Sequence, residues 1–212
     1  RESSVAQALE RGLARQEGDH LFFPADRVVA AVPSPVLLAL APEMPADYVG
    51  LLQGARYQAN ICVLLTLSHS LSHIYWMNIS DRSVPFVALI EHTNLVDKAH
   101  YGGKHVVYLS NYISAADPFY RATDEEVLEA YLPHLQRINP AFRREWIHEC
   151  HVSREDAAQP IITTNYSRKI PSLATPIAGL YLANNTQVYP EDRGQNYSIR
   201  IGREVAHLAV RT

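Results

Sequence analysis

The chain has 212 residues, 47% hydrophobic and 19% charged, with a net charge of −3; this describes one folded domain, or one domain with part of another, and excludes disordered and fibrous classes. No basic cluster gives the electrostatic footprint of a nucleic-acid or anionic-membrane binder, and apolar runs such as VVAAVPSPVLLALAP from Val28 are broken by prolines and too short to cross a bilayer. The two cysteines, Cys62 and Cys150, make no disulfide framework and read as small buried hydrophobes in a reducing, cytoplasmic compartment.

Taken in chain order, Ser4 to Arg15 reads as a helix with Val5, Ala8, Leu9 and Leu13 on one face, turned off by Gly18 and Asp19. Asp26 to Val32 reads as a strand, apolar on both faces and so central in a sheet. Ser34 followed by Pro35 predicts an N-cap with proline at the first helical position and a short helix through Leu40; a second short helix is expected after Pro45. In NICVLLTLSHSL, Ile61, Val63, Leu65 and Leu67 fall on one face and Cys62, Thr66 and Ser68 on the other, which is strand periodicity. HIYWMNI, VPFVALIE and KHVVYLSNYI repeat the pattern, separated by turns at Asp81-Arg82-Ser83 and Gly102-Gly103, and together read as an antiparallel meander.

Thr123 to Glu126 has the spacing of a capping box. The stripe Val127, Leu128, Tyr131, Leu132 and Leu135 then predicts a helix that Pro133 should kink. A strand is expected from about Arg144 to Val152, followed by a loop containing Pro160 and Pro171, the strand GLYLA from Gly179, a polar loop, and a final amphipathic helix opened by Gly194. The fold class is therefore α+β, a mostly antiparallel (mixed) sheet flanked by helices.

Self-contained catalytic signatures are absent: the chain has no GxGxxG, P-loop, HExxH, GxSxG or CxxC. His148, Cys150 and His151 are close in sequence, but on a strand the first two share a face and the third points away, so no metal site is expected. His69 and His73 lie in a segment that alternates like a strand and read as surface histidines. Glu91-His92-Thr93-Asn94 closes an apolar strand and reads either as turn chemistry or as a pocket wall.

Three stretches carry a family resemblance. GLYLA, its polar loop and the glycine-opened helix after it resemble the C-terminal flavin-contacting motif of FAD-dependent amine oxidases, protoporphyrinogen oxidases and phytoene desaturases. Ala25 to Pro33 (ADRVVAAVP) resembles the strand by which that family leaves its FAD domain, and Thr175 to Ala183 (TPIAGLYLA) resembles its return strand. The resemblance implies a fragment of an FAD-dependent oxidoreductase in which residues 1–33 are the residual helix and strand of the FAD-binding domain, 34–175 a substrate-binding domain, and 176–212 the return strand and flavin-facing helix. It implies flavin-side roles for Asn185, Arg193, Gly194, Asn196 and Tyr197. The aromatic residues Tyr75, Trp76, Tyr108 and Tyr112 are candidates for a flat substrate wall, while no catalytic base can be named.

Asn184-Asn185 stands where the family has glycine and an acid. The family's dinucleotide-binding βαβ unit is not in this sequence, so the missing N-terminal FAD-binding domain is an expected partner, the 212 residues alone are expected not to retain FAD, and an exposed flavin face would favour a homodimer. The competing reading is a non-catalytic α+β binding module for a small apolar ligand or a protein partner.

Overall fold

A computed structural model describes residues 14–211. The helix expected over Ser4–Arg15 lies outside the described residues except for its last two positions, and Arg15 opens a strand instead. The chain divides into two compact units, one built from residues 14–55 and 163–211, the other from residues 56–162. The first two short helices, read from sequence with the substrate-binding part, belong to the first unit.

In the first unit, β1 (Arg15–Glu17) and β2 (His20–Phe22) form a hairpin around Gly18, whose φ of 60° is the left-handed turn conformation. The unit is organised by β3 (Val28–Ala30) running parallel to β9 (Leu180–Leu182), with Val29 opposite Tyr181. Side-chain alternation along β9 sends Leu182 and Tyr181 to opposite faces. Leu182 packs with Leu37, Tyr48 and Leu52 of α1 (Ser34–Leu40) and α2 (Ala46–Gly54). Tyr181 packs with Val205 and Ala209 of α4 (Gln195–Arg211). On α4 the buried positions Ile201, Val205 and Ala209 recur every four residues, the spacing of one helical face.

Two expectations change here. Strand β3 is not central: Val28 and Val29 are 51% and 44% exposed because β9 is its one partner among the described residues. Helix α1 begins one residue earlier than expected, with Pro33 as the capping residue and Ser34 buried inside the first turn.

The second unit is a five-stranded antiparallel sheet in the order β5-β6-β7-β4-β8, made of β4 (Tyr57–Leu67), β5 (Trp76–Asn78), β6 (Ala88–Glu91), β7 (His105–Ile113) and β8 (Ile147–Pro160). It is not a plain meander, since β4 lies between β7 and β8 rather than beside β5. The long strands β7 and β8 hydrogen-bond both edges of β4, and Ala59, Ile61, Val63, Leu65 and Leu67 are each at most 1% exposed.

That buried face of β4 is covered by α3 (Asp124–Ile138), whose Val127, Leu128, Tyr131 and Leu135 complete the core with Phe86, Leu89, Val107 and Leu109. Burying such side chains stabilises by about 1.5–3 kcal/mol each. The expected capping box is present, with Thr123 Oγ1 accepting from the Glu126 amide and the Glu126 carboxylate accepting from the Thr123 amide. Helix α3 continues through Pro133, which is exposed. The last strand, expected over Arg144 to Val152, begins after a 3₁₀ turn at Arg144–Trp146 and runs on to Pro160. Its charged tail stays extended because Arg154 finds partners at the edge, the Tyr120 and Ala122 carbonyls and the Asp124 carboxylate.

Candidate functional site

Two regions, one in each unit, hold the residues singled out from the sequence. In the first unit, β9 ends at Leu182, and two residues on, Asn184 caps a 3₁₀ turn over Asn185–Gln187. The two asparagines divide the work. Asn184 is fully engaged: its Oδ1 accepts from the Thr186 amide and hydroxyl, and its Nδ2 donates to the Val32 carbonyl at 3.0 Å and toward Ser34 Oγ at 3.4 Å, joining the end of β9 to the start of α1. Asn185 is exposed.

Gly194 then opens α4, its carbonyl accepting the Tyr197 and Ser198 amides. A Cβ on Gly194 would lie 2.7 Å from Asn196 Oδ1, the far end of a side chain that can rotate away. Asn196 is the second residue of the helix. Tyr197 is half-buried beneath the Arg200 guanidinium, 4.9 Å from the ring centroid, and Arg200 makes a bidentate pair with Glu191 at 2.9 and 3.1 Å. That pair holds the Glu191 carboxyl below its ordinary range. The first turn of α4 contains no acidic residue, and of the two acids just before it Glu191 is paired with Arg200 while Asp192 is exposed. The Arg193 amide donates to Asp192.

In the second unit the cross-strand register decides which aromatic residues meet. Trp76 is opposite Ile90, Ile90 opposite Tyr108, and Tyr108 opposite Leu64. Tyr112, two rows along, is opposite Asn60. Trp76, Tyr108 and Tyr112 therefore share the face of the sheet that α3 does not cover. Tyr75 does not join them, because adjacent residues alternate; it flanks the edge strand with its ring 6.5 Å from that of Trp76, and its carbonyl accepts the Glu91 amide.

The stretch Glu91 to Asn94 organises this edge of the sheet. Glu91 is 0% exposed, and its carboxylate accepts from Ser70 Oγ at 2.7 Å, the Ser72 amide at 2.6 Å and the Leu71 amide at 3.1 Å. Asn94 Nδ2 donates to the Ser72 and Ile74 carbonyls, and Thr93 Oγ1 accepts from the Val106 amide. His92 is bonded to the Tyr101 hydroxyl at 2.7 Å and meets Tyr108 edge-on at 6.1 Å. Of the two roles left open by the sequence, turn chemistry is thus met in full, and His92 adds to the aromatic face as well. Tyr101 was not visible as a candidate, since a tyrosine before a glycine pair carries no pattern of its own.

The histidine groups do not converge. Cys150 and His151 are opposite Leu65 and Leu64 on different faces, His69 stacks on Trp146 at 4.6 Å, and among the described residues no three metal-ligating side chains are gathered together. Among the same residues no helix is long and apolar enough to cross a membrane.

Residues 4–191 match the family described as flavin containing amine oxidoreductase. This chain belongs to the flavin-containing amine oxidoreductase family. No curated protein matches it. Among solved structures, a protein described as a protoporphyrinogen oxidase from Exiguobacterium sp. 255-15 is 16% identical with a TM-score of 0.63, covering 99% of this chain and 51% of its own. An oxidoreductase from Methanosarcina mazei is 18% identical with a TM-score of 0.62, covering 90% and 44%. A reduced UDP-galactopyranose mutase is 11% identical with a TM-score of 0.69, covering 91% and 43%. At these identities the likeness shows the fold, and the chain spans about half the length of each of these structures. The amine oxidoreductase membership does not favour the reading as a non-catalytic binding module.

Asn185 is exposed and the first turn of α4 carries no acidic residue, so neither opposes the flavin contacts that the family resemblance leads one to expect there.

Proposed function

We propose that this chain supplies the substrate-binding sheet and the C-terminal flavin-facing segment of an FAD-dependent oxidoreductase acting on a small molecule. The reading is carried by the construction at the end of β9, where the helix start opened by Gly194 has no acid in its first turn and follows the exposed Asn185. In this reading Asn185 hydrogen-bonds the polar chain of FAD, while the first-turn amides of α4 face the flavin ring oxygen. Bound FAD supplies the hydride-accepting chemistry, and the protein binds and orients the substrate and excludes water. The substrate-binding part is residues 56–162, whose open sheet face presents Trp76, Tyr108 and Tyr112. The FAD-binding domain that holds the ADP half belongs to polypeptide outside these 212 residues.

A helix start contributes only about 0.3–1 kcal/mol toward a bound charge, so the 212-residue chain alone is expected to purify colourless. The complete reading frame is expected to purify with the flavin absorption bands, and to lose them anaerobically with one member of an amine and unsaturated-substrate panel. A colourless complete protein that takes up no added FAD would sink the proposal. Stoichiometric flavin in the 212-residue chain would overturn the need for a second domain.

A further inference from the structure

The open face of the second unit ends in a polar pair that neither the sequence motif nor the family membership assigns. Four rings run on from one another: Trp76 across Ile90 to Tyr108, Tyr108 to His92 at 6.1 Å, and His92 to Tyr101 at 5.4 Å. Trp76 is 54% and Tyr101 38% exposed. The rings meet edge-on, His92 at 85° to Tyr108 and at 80° to Tyr101, so an exposed tryptophan and the hydrogen-bonded His–Tyr pair make an apolar wall with one polar end.

The wall is also held still. Beneath it the backbone of residues 70–74 is fixed by Glu91 and Asn94, and Glu91 is a fully buried carboxylate hydrogen-bonded by backbone amides and a serine hydroxyl, with His105 Nδ1 3.5 Å away. A buried carboxylate is expensive unless it is fully hydrogen-bonded, and its placement here fixes the segment that leads directly into Trp76. Such support is what a binding surface needs and what a solvated loop does not.

We propose that Tyr101 and His92 are the specificity-determining end of this wall, and that the wall takes an aromatic molecule carrying a hydroxyl or amino group. The proposal rests on the reading of this face as the substrate side. The chemistry follows from the 2.7 Å contact between His92 Nε2 and Tyr101 Oη. With the tyrosine donating to the imidazole, its oxygen keeps lone pairs for a ligand O–H or N–H; with the other tautomer, the tyrosine O–H is released to donate to a ligand oxygen or nitrogen. The pair therefore answers a group that both gives and takes a hydrogen bond. A bare hydrocarbon of the same shape leaves that end unsatisfied and binds more weakly.

The test uses the 212-residue chain with p-cresol and toluene, which share a shape and differ by one hydroxyl. Histidine and tryptophan side-chain signals are followed by NMR and assigned through H92Q and W76F. Both probes are expected to shift the Trp76 indole signal, p-cresol alone to shift His92, and p-cresol to bind about tenfold more tightly, the worth of one hydrogen bond. In Y101F the Trp76 shift with toluene should remain, showing an intact wall, while the p-cresol advantage and the His92 response vanish. Equal binding of the two probes by the wild-type chain, an undiminished p-cresol preference in Y101F, or no Trp76 response to either probe would each overturn the proposal. Neither probe nor readout involves flavin, so failure here and failure of the FAD reading are separate outcomes.

Discussion

At the scale of single residues, the two units show one device used twice: a polar side chain is tied up in hydrogen bonds that fix backbone beside a functional candidate. Asn184 is used up in joining β9 to α1, which leaves Asn185 as the exposed member of the pair. Glu91 is used up in holding residues 70–72, which leaves His92 on the open face. His105 pays attention to the same carboxylate from the other side, with its Nδ1 3.5 Å from Glu91 Oε1 and its side chain 15% exposed. Burial, the largest effect, holds its pKa below the ordinary histidine value; Glu91 opposes this, and the nearby Lys98 and His69 add to it. Because the folded pKa is depressed, the unfolded chain binds the proton first as pH falls. The stability that a neutral His105 provides is thus complete above the unfolded value of about 6.5 and is lost as pH drops through the lower folded value. Thermal unfolding of wild type and H105Q between neutral pH and about pH 5 tests this: the wild-type Tm should fall more steeply with acid than that of the variant. Parallel curves would show that His105 titrates as an ordinary surface histidine.

At the scale of elements, the parallel β3–β9 pair depends on one glycine. Gly179 has φ of 78°, and a Cβ there would stand 2.8 Å from the Asp26 carbonyl oxygen, while its own carbonyl accepts the Val28 amide that starts the pairing. G179A is expected to lose about 2–3 kcal/mol, from the left-handed backbone and the backbone clash together, and so to lower Tm by about 5–10 °C. The matched control is G202A, on the exposed side of α4 with open space around it, where replacing a mid-helix glycine should add about 0.5–1 kcal/mol. A G179A protein as stable as wild type would remove the glycine from the account of this strand pair. Elements of this kind were readable in sequence where local pattern and tertiary need agree: the alternation in β4, the capping box of α3 and the amphipathic final helix α4 were all legible. Sequence misjudged β3, because an apolar run looks the same at an edge as at a sheet's centre, and it cut β8 short, because the charges of Arg154, Glu155 and Asp156 look like a loop until their partners are in place. It could not find the His92–Tyr101 contact, which joins residues whose neighbourhood is set only by the 3₁₀ turns after β6.

At the scale of the whole molecule, the chain order is that of one unit inserted into another, and the insertion has its own core. Residues 56–162 contain every strand of the five-stranded sheet and the helix that covers it, and the core residues packed between them come from that stretch alone. The two ends of the stretch are already side by side, with Tyr57 opposite Pro160 and the Ile161 amide bonded to the Arg56 carbonyl at 2.8 Å. A segment with its own core and adjacent ends needs nothing from the rest of the chain to close its sheet. Residues 56–162 expressed alone are therefore expected to unfold in one cooperative transition and to give dispersed amide NMR signals. Truncation L65A, at a fully buried position of β4, should lower the stability of this excised piece by about 2–5 kcal/mol, and by a similar amount in the same unit of the full chain. Dispersed signals with an L65A effect confined to the full chain, or an excised piece that melts without a transition, would mean that the sheet depends on residues outside the inserted segment, contrary to the closure of its core in sequence.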